Sequence, residues 1–365
     1  MNKDILAALA KLGIDPNQNN TFNVQRNANE VMNTANAATG GDAVPGAVLA
    51  QEVFDAVPNY ATFLGDLPGN HGTGLNAIET KTIIGDPGFF QLGAEQTTGA
   101  LAVAQGQKTL PTDKVTITQK KLEMTIDISD ELNRFNTLGA EGFQALLKSK
   151  MAKAAARTIE AAIVNGDTTN AGTGNVNLDD ANPADTLYYL GFDGLRKAGL
   201  AATSPAPINV GSFDQGDLLS VANLLGDYFA APEDCLWLFN RSTYNKALGI
   251  QAFYDASQRG EQSTLSGKAL TNILGSDLFV ARDMPKTEAD GKVSTTASNN
   301  TLGQFLLFWK PAVQYGFGNT MQIKLFDLGK DGYQLQAWFY FGYGLVQKDA
   351  SITDSSVGVG YNVTL

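Results

Sequence analysis

The chain has 365 residues, 43% of them hydrophobic and 17% charged, and a formal net charge of -11. That length suits one large domain or two to three ordinary ones, and the balance is that of a globular rather than a disordered chain. The acidic charge, with no run of Lys and Arg, argues against a clamp on nucleic-acid backbone, and no apolar run reaches the roughly 18 residues that cross a bilayer.

In chain order, Ile5 to Leu12 carry a short apolar face flanked by Lys3 and Asp4, the pattern of a small amphipathic helix rather than a signal peptide. Residues 13 to about 45 are rich in Asn, Ala, Thr and Gly and read as an arm outside the packed core. Helical spacing begins after Val44-Pro45-Gly46, at Val48, Leu49, Val53, Phe54 and Val57. Ile78, Thr80, Thr82 and Ile84 then predict an outgoing strand. The stretch from 85 to 112 has little apolar pattern beyond Phe89-Phe90 and Leu101 to Val103. The return strand alternates at Val115 and Ile117, and after Gln119-Lys120-Lys121 resumes one position out of phase at Leu122, Met124, Ile126 and Ile128. A slip of that kind predicts a bulge or break where the strand changes surroundings. A hairpin so long is not stable alone, so it lies on its own body or on a neighbouring subunit.

Ile128-Ser129-Asp130-Glu131-Leu132 leads into a helical stripe of Phe143, Leu147, Met151, Ala155, Ile159 and Ile163, with Lys148, Lys150, Lys153 and Arg157 off the stripe. The helix is expected to stop at Asn165-Gly166-Asp167, with the glycine in the left-handed conformation. Residues 166–187 read as a polar loop, and the run Asn175 to Asp185 within it as a solvent loop. Asp214 caps a further helix with Leu218, Leu219, Ala222 and Leu225 on its apolar side. Cys235 to Asn240 reads as a buried strand and Ser242 to Leu248 as a short helix capped by Ser242. A glycine-containing loop (Gly260, Gly267, Gly275), a strand at Leu278 to Ala281, the turn Asp283-Met284-Pro285 and a polar loop over 286–301 follow. The last third is β-rich: Phe305 to Trp309 is wholly apolar, Met321, Ile323 and Leu325 alternate, and Leu335, Ala337, Phe339, Phe341, Tyr343 and Leu345 form one face of a strand.

Little here points to catalysis. Glu123 and Asp127 share a strand face, with Asp130 and Glu131 close behind, a set that could do acid–base work. The competing reading is the polar face of a half-buried strand and the acidic first turn of a helix. Cys235, the sole cysteine, sits among Leu236, Trp237 and Leu238 as a buried small hydrophobe, and His71, the sole histidine, lies in a glycine-rich loop. The pair cannot assemble an ordinary zinc site. Asp179 and Asp180 lack the alternating oxygen ligands of a calcium loop, and Gly72-Thr73-Gly74 lacks the rest of a phosphate loop. No catalytic, cofactor-binding or metal-ligating residue is assigned.

The order of segments resembles the major capsid protein of tailed bacteriophages, with its Hong Kong 97-type capsid fold. The resemblance rests on the arm with Val44-Pro45 and the Glu52 to Val57 helix, the long excursion, the Ile128-to-Leu132 element with its long helix ending at Asn165-Gly166-Asp167, Trp237-Leu238-Phe239-Asn240-Arg241-Ser242-Thr243, and the closing strands from Phe305 to Lys348-Asp349-Ala350. It implies an α+β chain divided into an N-terminal arm (1–71), an extended two-stranded loop (72–127), a peripheral domain (128–200 and 302–352) with spine helix 139–165, and an axial domain (201–301 and 353–365). It further implies self-assembly as pentamers and hexamers of an icosahedral shell enclosing double-stranded DNA without sequence-specific binding, and neither an enzyme nor a membrane protein. The expected partners are a scaffolding protein, a portal and decoration proteins, and the expected places are the virion and, during assembly, the host cytoplasm. The part before the fold is too short for the fused scaffolding domain some members carry. Some members cross-link a lysine of the extended loop to a neighbour; Lys81, Lys108 and Lys114 lie in that region, and a solvated or ion-paired lysine is the plainer reading of each. The alternatives are an encapsulin-type compartment shell, against which the polar arm counts, and a β-rich secreted carbohydrate-active protein. Phe89, Phe90, Tyr188 and Tyr189 are candidate contact points between subunits, with core packing as the rival.

Overall fold

The computed structural model describes residues 61–72, 75–76, 78–86, 110–129, 139–170, 174–254, 270–318, 322–327, 333–350 and 352–365. The expected helix at 1–12, the arm over 13–45, the helical pattern at 48–57, the loop middle with Phe89, Phe90 and Lys108, the Asp130-Glu131-Leu132 element, Met321 and the side chain of Phe143 lie outside the described residues.

In chain order the elements are β1 (Gly69–Asn70), β2 (Ile78–Ile84), β3 (Thr112–Ile128), α1 (Gly139–Asn165), α2 (Leu195–Ala201), β4 (Ile208–Gly211), α3 (Gln215–Leu224), β5 (Cys235–Phe239), α4 (Arg241–Ala247), α5 (Gln251–Tyr254), β6 (Asn272–Ile273), β7 (Ser276–Val280), β8 (Gly303–Trp309), β9 (Val313–Phe317), β10 (Gln322–Asp327), β11 (Tyr333–Leu345) and β12 (Val357–Val363). They form an α+β fold with two sheets. The first runs β1-β9-β11-β3-β2, with β10 sharing an edge of β11; the second runs β4-β12-β8-β5-β7-β6.

α1 is the spine. Its 27 residues extend about 40 Å at 1.5 Å per residue. Met151, Ala155, Ile159 and Ile163 are buried along one stripe, together with Ala152, Ala156 and Ala162, whose small side chains let the sheets approach closely. Lys150, Lys153 and Arg157 face solvent, as their spacing predicts. The helix end differs from expectation. Gly166 does not adopt a positive φ. A Cβ there would stand 2.5 Å from the Phe192 carbonyl oxygen and 2.9 Å from the Gly194 amide, and a Cβ on Gly194 would stand 2.6 Å from the Gly166 amide. The two glycines let the chain cross itself, with Gly194 donating to the Gly166 carbonyl at 2.8 Å.

The second sheet is covered on both faces, which is why β5 and β8 read as unbroken apolar runs. Leu236, Leu238, Leu306, Phe308, Val357 and Val359 join the core around α1. Cys235, Trp237, Phe239, Phe305, Leu307 and Val363 turn the other way, into a second core under α3. Phe305 lies 5.3 Å from Phe239 and 5.1 Å from Phe213, centroid to centroid, in tilted contacts that add to area burial. β8, which the sequence division groups with the peripheral part, hydrogen-bonds to β5 and β12. In β12, Val357, Val359, Tyr361 and Val363 alternate with Gly358, Gly360 and Asn362. Each glycine is there for space: a Cβ on Gly360 would fall 2.3 Å from the Phe305 ring, and one on Gly358 would fall 2.8 Å from Leu225.

Asp214 caps α3 as its position predicts, with the reciprocal Asp217 bond of a capping box. Leu219 faces solvent instead of the core. α4 is capped by Asn240, whose side chain accepts from the Ser242 amide, and not by Ser242 itself.

Candidate functional site

The feature that sets this chain apart is the root of the long excursion. β2 pairs antiparallel with the first half of β3, from Ile78 opposite Thr118 to Ile84 opposite Thr112. The second half of β3 pairs with β11, from Gln119 opposite Gly342 to Ile128 opposite Tyr333. The phase slip in the sequence falls where one partner hands over to the other. Register is unbroken on either side, so β3 contains no bulge within either ladder; Lys120 and Lys121 are both exposed at the handover.

The predicted alternation on β2 is present but points outward. Ile83 is buried and packs inward, whereas Ile78 is 66% exposed, Ile84 60%, and Leu110 across the hairpin 52%. Ile78 and Ile84 are large apolar side chains on the strand at the end of its sheet, with Leu110 just ahead of β3, the place where soluble proteins ordinarily put charge. The root is held by Ile117, fully buried over Gly342 and Gly344 of β11, where a Cβ would stand 3.3 Å from its Cγ2 and 2.9 Å from its Cγ1. Further out, Gly85 donates to the Pro111 carbonyl at 2.8 Å and Asp86 to the Asp349 carboxylate at 3.1 Å, so the described part of the hairpin lies along its own body.

Lys81 is half-buried, and its described partners are uncharged. Its Nζ donates to Gln314 Oε1 at 2.6 Å and meets His71 Nε2 at 2.9 Å. Lys114 is exposed. Tyr188 packs against the main core and stands edge-on to Tyr189 at 5.6 Å; burial raises the pKa of both phenols.

Glu123 and Asp127 do not converge, and Asp130 and Glu131 lie outside the described residues. Glu123 bonds Lys121 at 2.5 Å and Asp127 accepts from Gln334 Nε2 at 2.9 Å, both on the solvent side of the first sheet. Cys235 is buried, donates to the Tyr228 carbonyl at 3.5 Å, and has its thiol pushed up to about 12 by burial. Asp179 and Asp180 anchor one polar loop to the other: Asp179 bonds Lys292 at 2.6 Å, and Asp180 accepts from Ser294 Oγ at 2.7 Å. The run from Asn175 to Asp185 is therefore not wholly a solvent loop: Asn175 and Val176 are buried, as is Asp167 ahead of it.

Those loops meet at a residue that sequence patterning passes over. Arg196 is fully buried, and all five of its N–H groups are satisfied by neutral acceptors. Nε donates to Gln304 (3.1 Å), Nη1 to Asn165 (3.1 Å) and Asn177 (2.8 Å), and Nη2 to the carbonyls of Val176 (3.0 Å) and Gly291 (3.2 Å). Burial lowers its pKa to about 10, which leaves it charged at neutral pH. It fastens the end of α1, both polar loops and β8 together. Glu160, buried on the other flank of α1, accepts from the amides of Thr62 and of Phe63 (2.9 Å for the latter) and so holds the incoming chain; burial raises its pKa.

A spine helix, two sheets and a hairpin whose outer face exposes Ile78 and Ile84 are the parts to be set beside known proteins. The chain belongs to the phage capsid family, whose model matches residues 77–351. It is a capsid protein: its role is structural, it assembles with copies of itself, and its place is the shell of the virion. Among solved structures it is similar to a chain from Mycobacterium phage Adephagia (14% identity, 83% of this chain and 89% of that one, TM-score 0.54) and to one from Mycobacterium phage Bobi (12%, 82% and 90%, 0.54). It is likewise similar to the capsid structure of the cyanophage P-SCSP1u (16%, 84% and 89%, 0.52). At these identities the likeness is one of fold. No curated protein matches the chain.

Proposed function

We propose that this chain is the major capsid protein of a tailed bacteriophage, assembling as pentamers and hexamers into an icosahedral shell around double-stranded DNA. The outward ridge of Ile78, Ile84 and Leu110 carries this reading, since apolar side chains of that size at a sheet end are explained by a neighbouring copy that covers them. In this reading residues 1–71 serve as an arm and 72–127 as the strap between neighbours. Residues 128–200 with 302–352 form the peripheral part and 201–301 with 353–365 the axial part. The acidic charge suits a wall that encloses DNA without gripping it. A scaffolding protein, a portal and decoration proteins are its partners, and the host cytoplasm is where assembly takes place.

The test is the double variant Ile78→Asp/Ile84→Asp. Both positions are exposed in the single subunit, so unfolding midpoints should stay within about 0.5 kcal/mol of the parent. Negative-stain images should show closed particles for the parent and none for the variant. Closed particles from the variant would reject the ridge as an intersubunit contact.

A further inference from the structure

We propose that the exposed row of Leu146, Lys150, Lys153 and Arg157 on α1 is the seat of the acidic stretch of chain that leads into Ala61 of the same subunit. The row is one half of a single helix face. Its spacings of four, three and four residues put the side chains in line, and Glu160, Ala161 and Val164 continue that line towards the end of α1. The continuation is covered. Glu160, Ala161 and Val164 are buried, and Phe63 and the Asp283-Met284 turn border the same cleft. Among the described residues the other half is bare: Leu146 is 43% exposed, and Lys150, Lys153 and Arg157 are exposed with it.

The charge on this row is of one sign. Between Glu141 and Glu160, α1 carries Lys148, Lys150, Lys153 and Arg157 and no acid. Arg157 has a carboxylate beside it, Asp283, which accepts from its Nε at 2.7 Å. Lys150 and Lys153 have no acidic partner among the described residues. Like charges three and four residues apart on a helix repel one another, so a cover of opposite sign relieves the row. Leu146 gives the seat an apolar end.

The chain itself supplies that cover. The amides of Thr62 and Phe63 donate to Glu160, so the incoming chain joins α1 one turn from Arg157, at the boundary between the covered and bare halves of the face. Ahead of that junction, from Asn27 to Tyr60, the sequence has Glu30, Asp42, Glu52 and Asp55 and no Lys or Arg. The reach is sufficient. Lys153 and Lys150 lie about 10 Å and about 15 Å along the helix from Glu160, at 1.5 Å per residue. Asp55 and Glu52 stand seven and ten residues ahead of Thr62, which span about 10 to 15 Å when wound as a helix and over twice that when extended. Both acids can therefore meet both lysines without leaving the subunit.

The test uses the full-length unassembled protein, prepared as an equal mixture of nitrogen-14 and nitrogen-15 chains. A carbodiimide, which joins an amine to a carboxylate in direct contact, should link Lys150 or Lys153 to Glu52 or Asp55, and the linked peptides should carry one isotope throughout. Linked peptides of mixed isotope would assign the row to a neighbouring copy and overturn the proposal, as would the absence of any link to Glu52 or Asp55. Lys150→Glu/Lys153→Glu, at two exposed positions, should speed chymotryptic cleavage after Phe54 by about threefold or more, the effect of reversing two surface ion pairs. Adding Glu52→Lys/Asp55→Lys should return the rate to that of the parent. An unchanged rate in the first variant, or no rescue in the second, would refute the seat. Neither readout requires particles, so the seat and the shell reading can fail separately.

Discussion

The two sheets solve opposite problems. In the second, β5 and β8 are buried on both faces, and the loops that close over its end are fastened by an arginine with every donor used. In the first, β3 and β11 bury one face only, and β2 carries isoleucines into solvent. One region is finished within the subunit, while the other leaves large apolar side chains uncovered in the single subunit. The contrast shows that a buried charge and an exposed apolar row can both be features of a functional design, provided one has its partners within the chain and the other has them outside it.

Substitutions should separate the regions by size of effect. The largest is Ala155→Asp, which sets an unpaired carboxylate against both sheets along the spine; the protein should fail to fold in soluble form, and a soluble, cooperatively melting variant would contradict the placement. Next is Arg196→Ala, which strips buried acceptors of their donors and should cost on the order of 3–5 kcal/mol in chemical denaturation. A cost under about 1 kcal/mol would mean that water replaces the guanidinium there. Glu160→Gln is smaller and depends on pH. Burial raises the folded-state pKa of Glu160, so the folded protein binds that proton more tightly than the unfolded chain does. Stability from this group is present at acid pH and declines as pH climbs from the ordinary carboxylate range through the raised value. The glutamine variant should match the parent at acid pH and equal or exceed it at neutral pH in urea midpoints. At the small end, the paired hairpin substitutions described above should leave melting untouched while removing particles.

Much of this contrast can be read from residue order. The apolar run of Cys235 to Phe239 marks a strand covered twice, and the slip at Gln119-Lys120-Lys121 marks the handover of β3 between partners. Other parts are hidden for physical reasons. A charged residue in a short helix reads as surface, so Arg196 shows nothing of its five acceptors, which come from four separate stretches of chain. β12 carries glycines, a residue type depleted in strands, at the two places that admit Phe305 and Leu225. Gly166 reads as a left-handed stop because that is the commoner use of glycine after a helix, yet its real constraint is the crossing at Gly194. On β2 the period is legible and the direction is not, since alternation alone does not say which side meets the body.

The continuity of β3 has a mechanical consequence. A single 17-residue strand serves the hairpin at one end and the central ladder at the other, with no hinge between them. A load applied near Ile84 is therefore delivered along a stiff lever to Trp338 and its neighbours in β11 rather than being absorbed at a flexible joint. Neighbouring copies that grip this lever would bear on one another's interiors, so that strain in the wall is spread across many subunits.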